Sequence, residues 1–293
     1  MKIISMCPAG LGNRIKCMIS TIKMRERVCH YEPDCGATYV YWPVNKQCGC
    51  KFDDIFEPFI REIALDKISK KDILNKSWKL LSGDKEFDFK YNNLTQKEKD
   101  EFSPYFKFIK PKREIEDTAW AFMNKYKESF DKGEVIGVHI RKGDFSGLYD
   151  GRQHISTEDK FISKIYDLLI LNENYKFLIC TEDEETENTF RDIFGNAIIN
   201  FPKRYRGRNT PNSIKEAFVD MLLLSKCNII LGTFLSTFTE VAWWLGGCKA
   251  QVVIVGGEDK EAVAEVLSKL PQVGESIYKK ILRRFKIWKT EGI

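Results

Sequence analysis

From Glu134 onward the chain alternates short apolar runs with longer amphipathic ones, and few folds accept that alternation. Val135–Ile140 reads as a buried strand, followed by a polar, glycine-containing loop and a helix at about Thr157–Leu171. Lys176–Cys180 is the next strand. The acidic run Glu182–Glu187 then opens a helix, where negative charge suits the positive end of the helix dipole. Ala197–Phe201 is a third strand, ended by Pro202. Helix Ser213–Ser225 leads to strand Asn228–Leu231, helix Ser236–Leu245 to strand Gln251–Val255, and Glu261–Leu270 is a further helix. Strands and helices in this order predict a parallel sheet covered on both faces, a Rossmann-like domain.

The first part of the chain is less regular. Lys2–Met6 reads as a strand that meets the turn Pro8-Ala9-Gly10-Leu11-Gly12, and Asn13–Val28 carries Ile15, Met18, Ile19, Ile22 and Val28 on one helical face. Thr38–Trp42 is a second strand. Between about Asp66 and Lys112 the pattern is charged and weakly periodic, which predicts irregular structure or short helices. The boundary falls near Phe130–Glu134, giving domains 1–132 and 133–293. The expected class is α/β, with two Rossmann-like domains facing a cleft. The tail Ile277–Trp288 reads as an amphipathic helix with Ile277, Ile281, Phe285 and Trp288 on its apolar face. Packing on the N-terminal domain is the expectation for it, with membrane-surface contact through 277–288 as the alternative.

Composition narrows the functions. The 293 residues carry a formal charge of only +5, well short of the basic stripe of a nucleic-acid binder, so no nucleic-acid partner is expected. No secretory signal is visible, and no run approaches the roughly 18 apolar residues of a membrane span, so a cytoplasmic location is expected. Nine cysteines, an odd count, exclude a fully paired disulfide framework within one chain. Cys29, Cys35, Cys48 and Cys50 cluster, but there is no C-x-x-C pair among them and Cys48-Gly49-Cys50 is too tight for the usual zinc knuckle. Reduced buried thiols are expected there, with a disulfide or a zinc site as the alternatives.

Four segments carry chemistry. Gly10-Leu11-Gly12-Asn13-Arg14 sits at a strand-to-helix turn, where glycines let a ligand approach the backbone and helix N–H groups favour an anion; a plain tight turn fits equally well. His139-Ile140-Arg141-Lys142-Gly143-Asp144 lies at the carboxyl end of a strand, where open parallel sheets bind ligands. Alternation puts His139 and Arg141 on one side, and a guanidinium grips two phosphate oxygens at once; a plain strand end with a satisfied histidine and a surface arginine is the alternative. Asp220 on a helix is followed by Gly232-Thr233-Phe234-Leu235-Ser236-Thr237, a hydroxyl turn able to donate to phosphate oxygens. The same turn can be an ordinary helix start, with Thr237 as N-cap and Glu240 at capping-box spacing. Thr181-Glu182-Asp183 follows a strand, and its carboxylates can accept from ribose hydroxyls or a guanine edge, or serve a charged helix start.

In this order the four segments resemble the fucosyltransferase superfamily of nodulation and core α-1,6-fucosyltransferases and protein O-fucosyltransferases. Gly10–Arg14 is similar to their N-terminal G-x-G-N-type loop, His139-Ile140-Arg141 to their H-x-R motif, and Thr181-Glu182-Asp183 to their T-D-D turn. Asp220 with Leu224-Ser225 resembles their D-x-x-x-L-S helix, and Thr233-Phe234-Leu235-Ser236 their T-F-S-S turn. His154-Ile155 stands where the core enzymes have a histidine before the next helix.

The resemblance implies the two-domain GT-B arrangement and inverting, metal-independent transfer from GDP-fucose to a glycan or other hydroxyl acceptor. No cofactor is implied beyond the nucleotide-sugar donor, which is a substrate. Arg141 would bind the β-phosphate and stabilise departing GDP, with His139 and Ser236 nearby. Asp220 would read guanine, Glu182 and Asp183 would line the nucleotide site, and Asn13 would approach the sugar or phosphate. Lys142 replaces a second arginine, Glu182 replaces an aspartate, and the loop Phe145–Gly151 leaves Asp144 or Asp150 as candidates for the acceptor base. A transferase using another GDP- or UDP-sugar, and a nucleotide-sugar-binding protein without transfer, remain alternatives. No D-x-D triplet occurs, which argues against a metal-dependent transferase.

Overall fold

A computed structural model describes residues 1–31, 36–77, 79–82, 85–87, 94–142 and 155–258. The chain divides into two compact units, the first running to Lys110 and the second starting at Pro111. The division lies earlier than the pattern placed it, because helix α3 (Arg113–Lys125) is part of the second unit. It buries Ile115, Ala119 and Phe122 and packs on helix α7 (Pro211–Leu224), and Phe122 meets Phe201 edge-on at 6.2 Å; the short helix α4 (Lys127–Asp131) follows it.

In the first unit, strands β1 (Ile3–Met6), β2 (Thr38–Tyr41), β3 (Arg61–Glu62) and β4 (Ile73–Asn75) form a parallel sheet in the order β3-β2-β1-β4. The chain steps outward from β1 to β3, then returns to the other side of β1. Helix α1 (Leu11–Tyr31) starts two positions before the expected Asn13 and buries Leu11, Ile15, Met18 and Ile19. The charged stretch after Asp66 is more ordered than expected. It holds β4, an antiparallel pair β5 (Leu80–Ser82) and β6 (Lys85–Phe87), and helix α2 (Gln96–Phe106). Thr95 caps α2 by accepting from Glu98 N (3.2 Å) while the Glu98 carboxylate takes Thr95 N (2.8 Å), and Phe102 and Phe106 anchor the helix.

The second unit is the regular one. Strands β7 (Val135–His139), β8 (Lys176–Cys180), β9 (Ile198–Ile199), β10 (Ile229–Gly232) and β11 (Gln251–Ile254) are all parallel, in the order β11-β10-β7-β8-β9. On one face Ile136, Val138, Phe177 and Ile179 pack with Phe161 and Ile165 of helix α5 (Glu158–Leu171) and Phe190 of helix α6 (Glu184–Phe194). On the other lie α7 and helix α8 (Thr237–Leu245). There Gly137 admits α7 closely: a Cβ at this position would stand 2.7 Å from Leu224 Cδ2. Strand β9 is shorter than the expected Ala197–Phe201, because Gly195–Ala197 forms a 3-10 turn and the strand pairs with β8 only.

Among the described residues no helix is long and apolar enough to cross a membrane. The expected helix Glu261–Leu270 and the amphipathic tail Ile277–Trp288 lie outside the described residues.

Candidate functional site

In the second sheet the chain winds outward from β7 through β8 to β9, then crosses to the opposite side of β7 to lay down β10 and β11. The gap between the carboxyl ends of β7 and β10 is therefore the topological switch point, the place where such sheets open a crevice. His139 ends β7 and Gly232 ends β10, directly paired in register. Thr233 joins the two exits. Its hydroxyl donates to His139 O (2.9 Å) and accepts from Arg141 N (3.1 Å), so its one proton serves the framework.

His139 is 7% exposed, stacked on Phe238 at 4.8 Å between ring centres. Its Nδ1 lies 2.8 Å from the buried Thr239 hydroxyl and 3.4 Å from that of Ser236. Burial, reinforced by the positive fields of Arg141, Arg208 and Lys203, holds its pKa down to about 3, so the ring is neutral near pH 7. When the Thr239 hydroxyl donates to Nδ1, the neutral ring carries its proton on Nε2, the form that can donate to an anion.

Ser236, not Thr237, is the N-cap of α8, and it makes no capping bond through its side chain. The expected Thr237–Glu240 box does not form: Thr237 is the first helical residue and Glu240 is buried in the first turn. The strand exit explains the shift, since Ser236 N donates to Thr233 O (3.2 Å) and its hydroxyl turns toward His139. Phe234 N donates to Ser156 Oγ (2.9 Å), and Ser156 in turn donates to Val255 O (2.6 Å). Between these fixed points Leu235 takes φ 54°, a left-handed conformation that costs a leucine energy and marks a strained turn. Beside the exit of β7 is a cavity of about 360 Å³, with Ile140, Arg141 and Lys142 on one side and Ser156 to Asp159 on the other.

The carboxylates occupy distinct positions. Asp183 is the N-cap of α6, accepting from Thr186 N (3.0 Å), and those Thr186 bonds hold its pKa low. Lys142 pairs with Glu158 (2.6 Å) and approaches Asp183 (3.8 Å). Asp220 is buried on α7, with Oδ2 3.0 Å from Lys203 Nζ. Its Oδ1 is buried without a hydrogen-bond partner among the described residues. Burial pushes this carboxyl up to about 6, the pull of Lys203 notwithstanding. Asp144, Asp150 and His154 lie outside the described residues.

The turn of the first unit stands at its own switch point, between β1 and β4. Gly10 precedes α1 and its carbonyl accepts from Arg14 N (3.1 Å); Gly12 is buried in the first turn. Arg14 is 1% exposed and is directed inward. Its guanidinium donates to Ala9 O (2.6 Å) and Asn45 Oδ1 (3.2 Å) and sits 4.7 Å from the centre of Trp42. These contacts serve the turn itself. Asn13 Oδ1 and Arg14 Nη1 are buried without hydrogen-bond partners among the described residues.

Solved structures give the architecture its context. The chain has the fold of fucosyltransferases of known structure. Fucosyltransferase NodZ from Bradyrhizobium superposes with a TM-score of 0.54 at 17% identity, over 82% of this chain and 90% of that one. POFUT1 in complex with GDP gives 0.52 at 8%, over 86% and 98%. A variant of Arabidopsis thaliana FUT1 in complex with GDP gives 0.50 at 14%, over 86% and 69%. At such identities the likeness establishes the fold. No protein-family model matches the chain, and no curated protein matches it in sequence.

Sequence reasoning missed a set of basic residues at this site. The loop Pro202-Lys203-Arg204-Tyr205-Arg206-Gly207-Arg208 leaves β9 and lies against the acidic run after β8. Lys203 pairs with Glu187 (2.7 Å) and Asp220, Arg206 with Glu187 (2.7 Å), and Arg208 with Glu182. The signal was legible as charge complementarity: a basic run on one strand exit opposite an acidic run on its neighbour. In the cysteine cluster Cys48 and Cys50 are buried free thiols with sulfurs 3.7 Å apart, while the Cys29 side chain and Cys35 lie outside the described residues. No group of three or more metal-ligating side chains occurs among the described residues.

Proposed function

We propose that this chain is a glycosyltransferase that takes fucose from GDP-fucose and passes it, with inversion and without a metal ion, to a hydroxyl of a glycan or other acceptor. The observation that carries the reading is the convergence, at the switch point of a parallel sheet, of Arg141, a neutral His139 and the side-chain-uncapped N-terminus of α8. All three are suited to a multiply charged anion. The fold of GDP-bound fucosyltransferases supports assigning that anion to a nucleoside diphosphate.

In the proposed reaction the acceptor oxygen forms a bond to the anomeric carbon while the bond from that carbon to the β-phosphate oxygen breaks. GDP leaves with the electron pair and the acceptor proton passes to a base, for which Asp144 and Asp150 are the candidates. Negative charge grows on the leaving diphosphate, and Arg141 with the His139 Nε2–H would stabilise it there. Asp220 Oδ1, a buried acceptor lacking a donor, would be answered by the N–H groups of a guanine edge. Glu182 and Asp183 would flank the ribose, and Asn13 is the first unit's candidate for a donor contact.

Calorimetry with GDP, UDP and GDP-fucose, paired with a GDP-release assay over a panel of acceptors, tests the reading. GDP binding well above UDP binding, and release that persists in excess chelator, are expected. Tighter binding of UDP would overturn the donor assignment, and strict dependence on a divalent cation would overturn the metal-free step. Donor binding without release on any acceptor would leave a nucleotide-sugar-binding protein.

A further inference from the structure

Arg208 grips Glu182 with two bonds, Nε to Oε2 at 2.9 Å and Nη2 to Oε1 at 2.8 Å. That fork is the geometry with which a guanidinium also holds two phosphate oxygens. Its position matters. His139 of β7 is paired with Cys180 of β8, and Ile140 N donates to Cys180 O (3.0 Å). Two residues beyond that pair the chains present Arg141 from one strand and Glu182 from its neighbour. Arg208, fixed to Glu182, therefore reaches the same end of the sheet as Arg141, and its positive field acts on the His139 ring together with that of Arg141.

The cations of this loop are not equivalent. Lys203 and its partners Glu187 and Asp220 have side chains only 4–5% exposed, and Arg206 is bound to the same buried Glu187. Arg204 N and Tyr205 N both donate to the Glu216 carboxylate, so the loop is anchored along its length. The Arg208 and Glu182 side chains, by contrast, are 20% and 24% exposed. A partly hydrated pair exchanges its carboxylate for a stronger anion at little cost, whereas opening the Lys203 cluster would strand buried charges. Lys142, the cation adjacent to Arg141 in sequence, is engaged with Glu158 and Asp183.

We propose that Arg208 is a second diphosphate-binding guanidinium of this site, held at the rim by Glu182 and transferred from that carboxylate to the diphosphate when donor binds. The proposal rests on the functional reading above for the identity of the anion. It assigns Glu182 the role of a counterion that competes with the ligand, in place of a ribose contact.

Calorimetric titrations of GDP, guanosine and inorganic pyrophosphate against wild type, Arg208→Gln, Glu182→Gln and the double variant test it, with a melting curve for each protein. Arg208→Gln is expected to weaken GDP and pyrophosphate by about 10- to 100-fold, the loss typical of a hydrogen-bonded charge, and to leave guanosine unchanged. Glu182→Gln, which keeps the arginine and removes its competitor, is expected to tighten GDP severalfold, and the double variant to abolish that gain. Arg208→Gln binding GDP like wild type, or losing GDP and guanosine equally, would overturn the proposal, as would weaker GDP binding by a folded Glu182→Gln protein. Wild type that binds pyrophosphate through Arg208 but not GDP overturns the functional reading and leaves the Arg208 site standing. Wild type that binds none of the three overturns both.

Discussion

The two sheets place an arginine at the same topological position and use it in opposite ways. Each sheet has its switch point beside its first strand, β1 in one unit and β7 in the other, and each first strand exits into a turn carrying an arginine. Arg14 is buried, bonded to carbonyl oxygens and stacked on Trp42. Arg141 is only partly buried, its backbone is held by Thr233, and its side chain is placed beside a cavity. Position at a switch point thus does not make an arginine a ligand; what differs is direction, since the Arg14 guanidinium is turned into its own framework and Arg141 lines a cavity. At the second turn a threonine and a serine hydroxyl take over the framework bonds that the first turn assigns to its arginine.

The largest expected effects divide along that line. Arg14→Ala removes bonds to Ala9 O and Asn45 and a stacking contact, and should destabilise the first unit by about 2–4 kcal/mol. Arg141→Ala should leave the melting transition nearly in place and lower turnover by about 10²-fold or more, as when one preorganised charge-stabilising donor is lost. Arg141→Lys should rescue little, because an ammonium does not reproduce a forked contact. Melting curves and GDP-release rates on both alanine variants provide the check. A folded Arg141→Ala protein with wild-type turnover would remove Arg141 from the mechanism, and a fully stable Arg14→Ala protein would erase the contrast.

The same contrast explains what was legible in the sequence. The second unit announced itself because each strand is a continuous apolar run and each helix has one apolar face, so Val135, Lys176 and Gln251 were read as the strand starts they are. Periodicity reports burial, and there burial is apolar. In the first unit Arg14 and Lys16 are among the most buried side chains, and a pattern that counts charges as surface cannot register them. Helix α2 is one of the short helices expected in the charged stretch and begins at a T-x-x-E cap, whereas the three-residue strands β4, β5 and β6 are too short to show a period. At the site, motif order brought Arg141, His139 and Ser236 together, but that Ser236 is the N-cap of α8 with its hydroxyl turned to His139 depends on a contact across 97 residues of chain. The Lys203–Arg208 loop escaped because ion pairs between separate strand exits leave no periodic trace.

A smaller effect should appear in the pH dependence of stability. His139 titrates near 6.5 in an unfolded chain and at about 3 when folded. Between those values the unfolded state binds the extra proton, so folding stability falls as pH drops below 6.5 and is restored above it. From pH 6.5 to 5 this amounts to about 1–2 kcal/mol. Asp220, raised to about 6, works the other way, since its folded form holds a proton that the unfolded form has released. A comparison of wild type with His139→Gln cancels the Asp220 contribution. Denaturant melts at pH 6.5 and 5 should show the variant gaining about 1–2 kcal/mol relative to wild type on acidification; equal changes in the two proteins would mean that His139 is not held neutral by its surroundings.

The smallest effect is the one that separates ligand from framework at the first turn. Gly10 does not lie in the left-handed region, and a Cβ added there would find Gln47 O at 3.8 Å, an ordinary contact. Alanine is a poorer residue than glycine just before a helix, but it also restricts the unfolded chain, and the two effects are of similar size and opposite sign. Gly10→Ala should therefore change stability by less than about 0.5 kcal/mol. Gly137→Ala, driven into Leu224 at 2.7 Å, should cost about 1–3 kcal/mol and calibrates the measurement. If the turn needs glycine only to fold, a large loss at Gly10 would be seen, and the geometry argues against it. If glycine is there so that a donor can approach the backbone, Gly10→Ala should weaken donor binding at unchanged stability, because the added methyl group occupies the path of the ligand. Donor titrations on a variant that melts like wild type decide the matter, and unchanged affinity would reduce the first turn to framework alone.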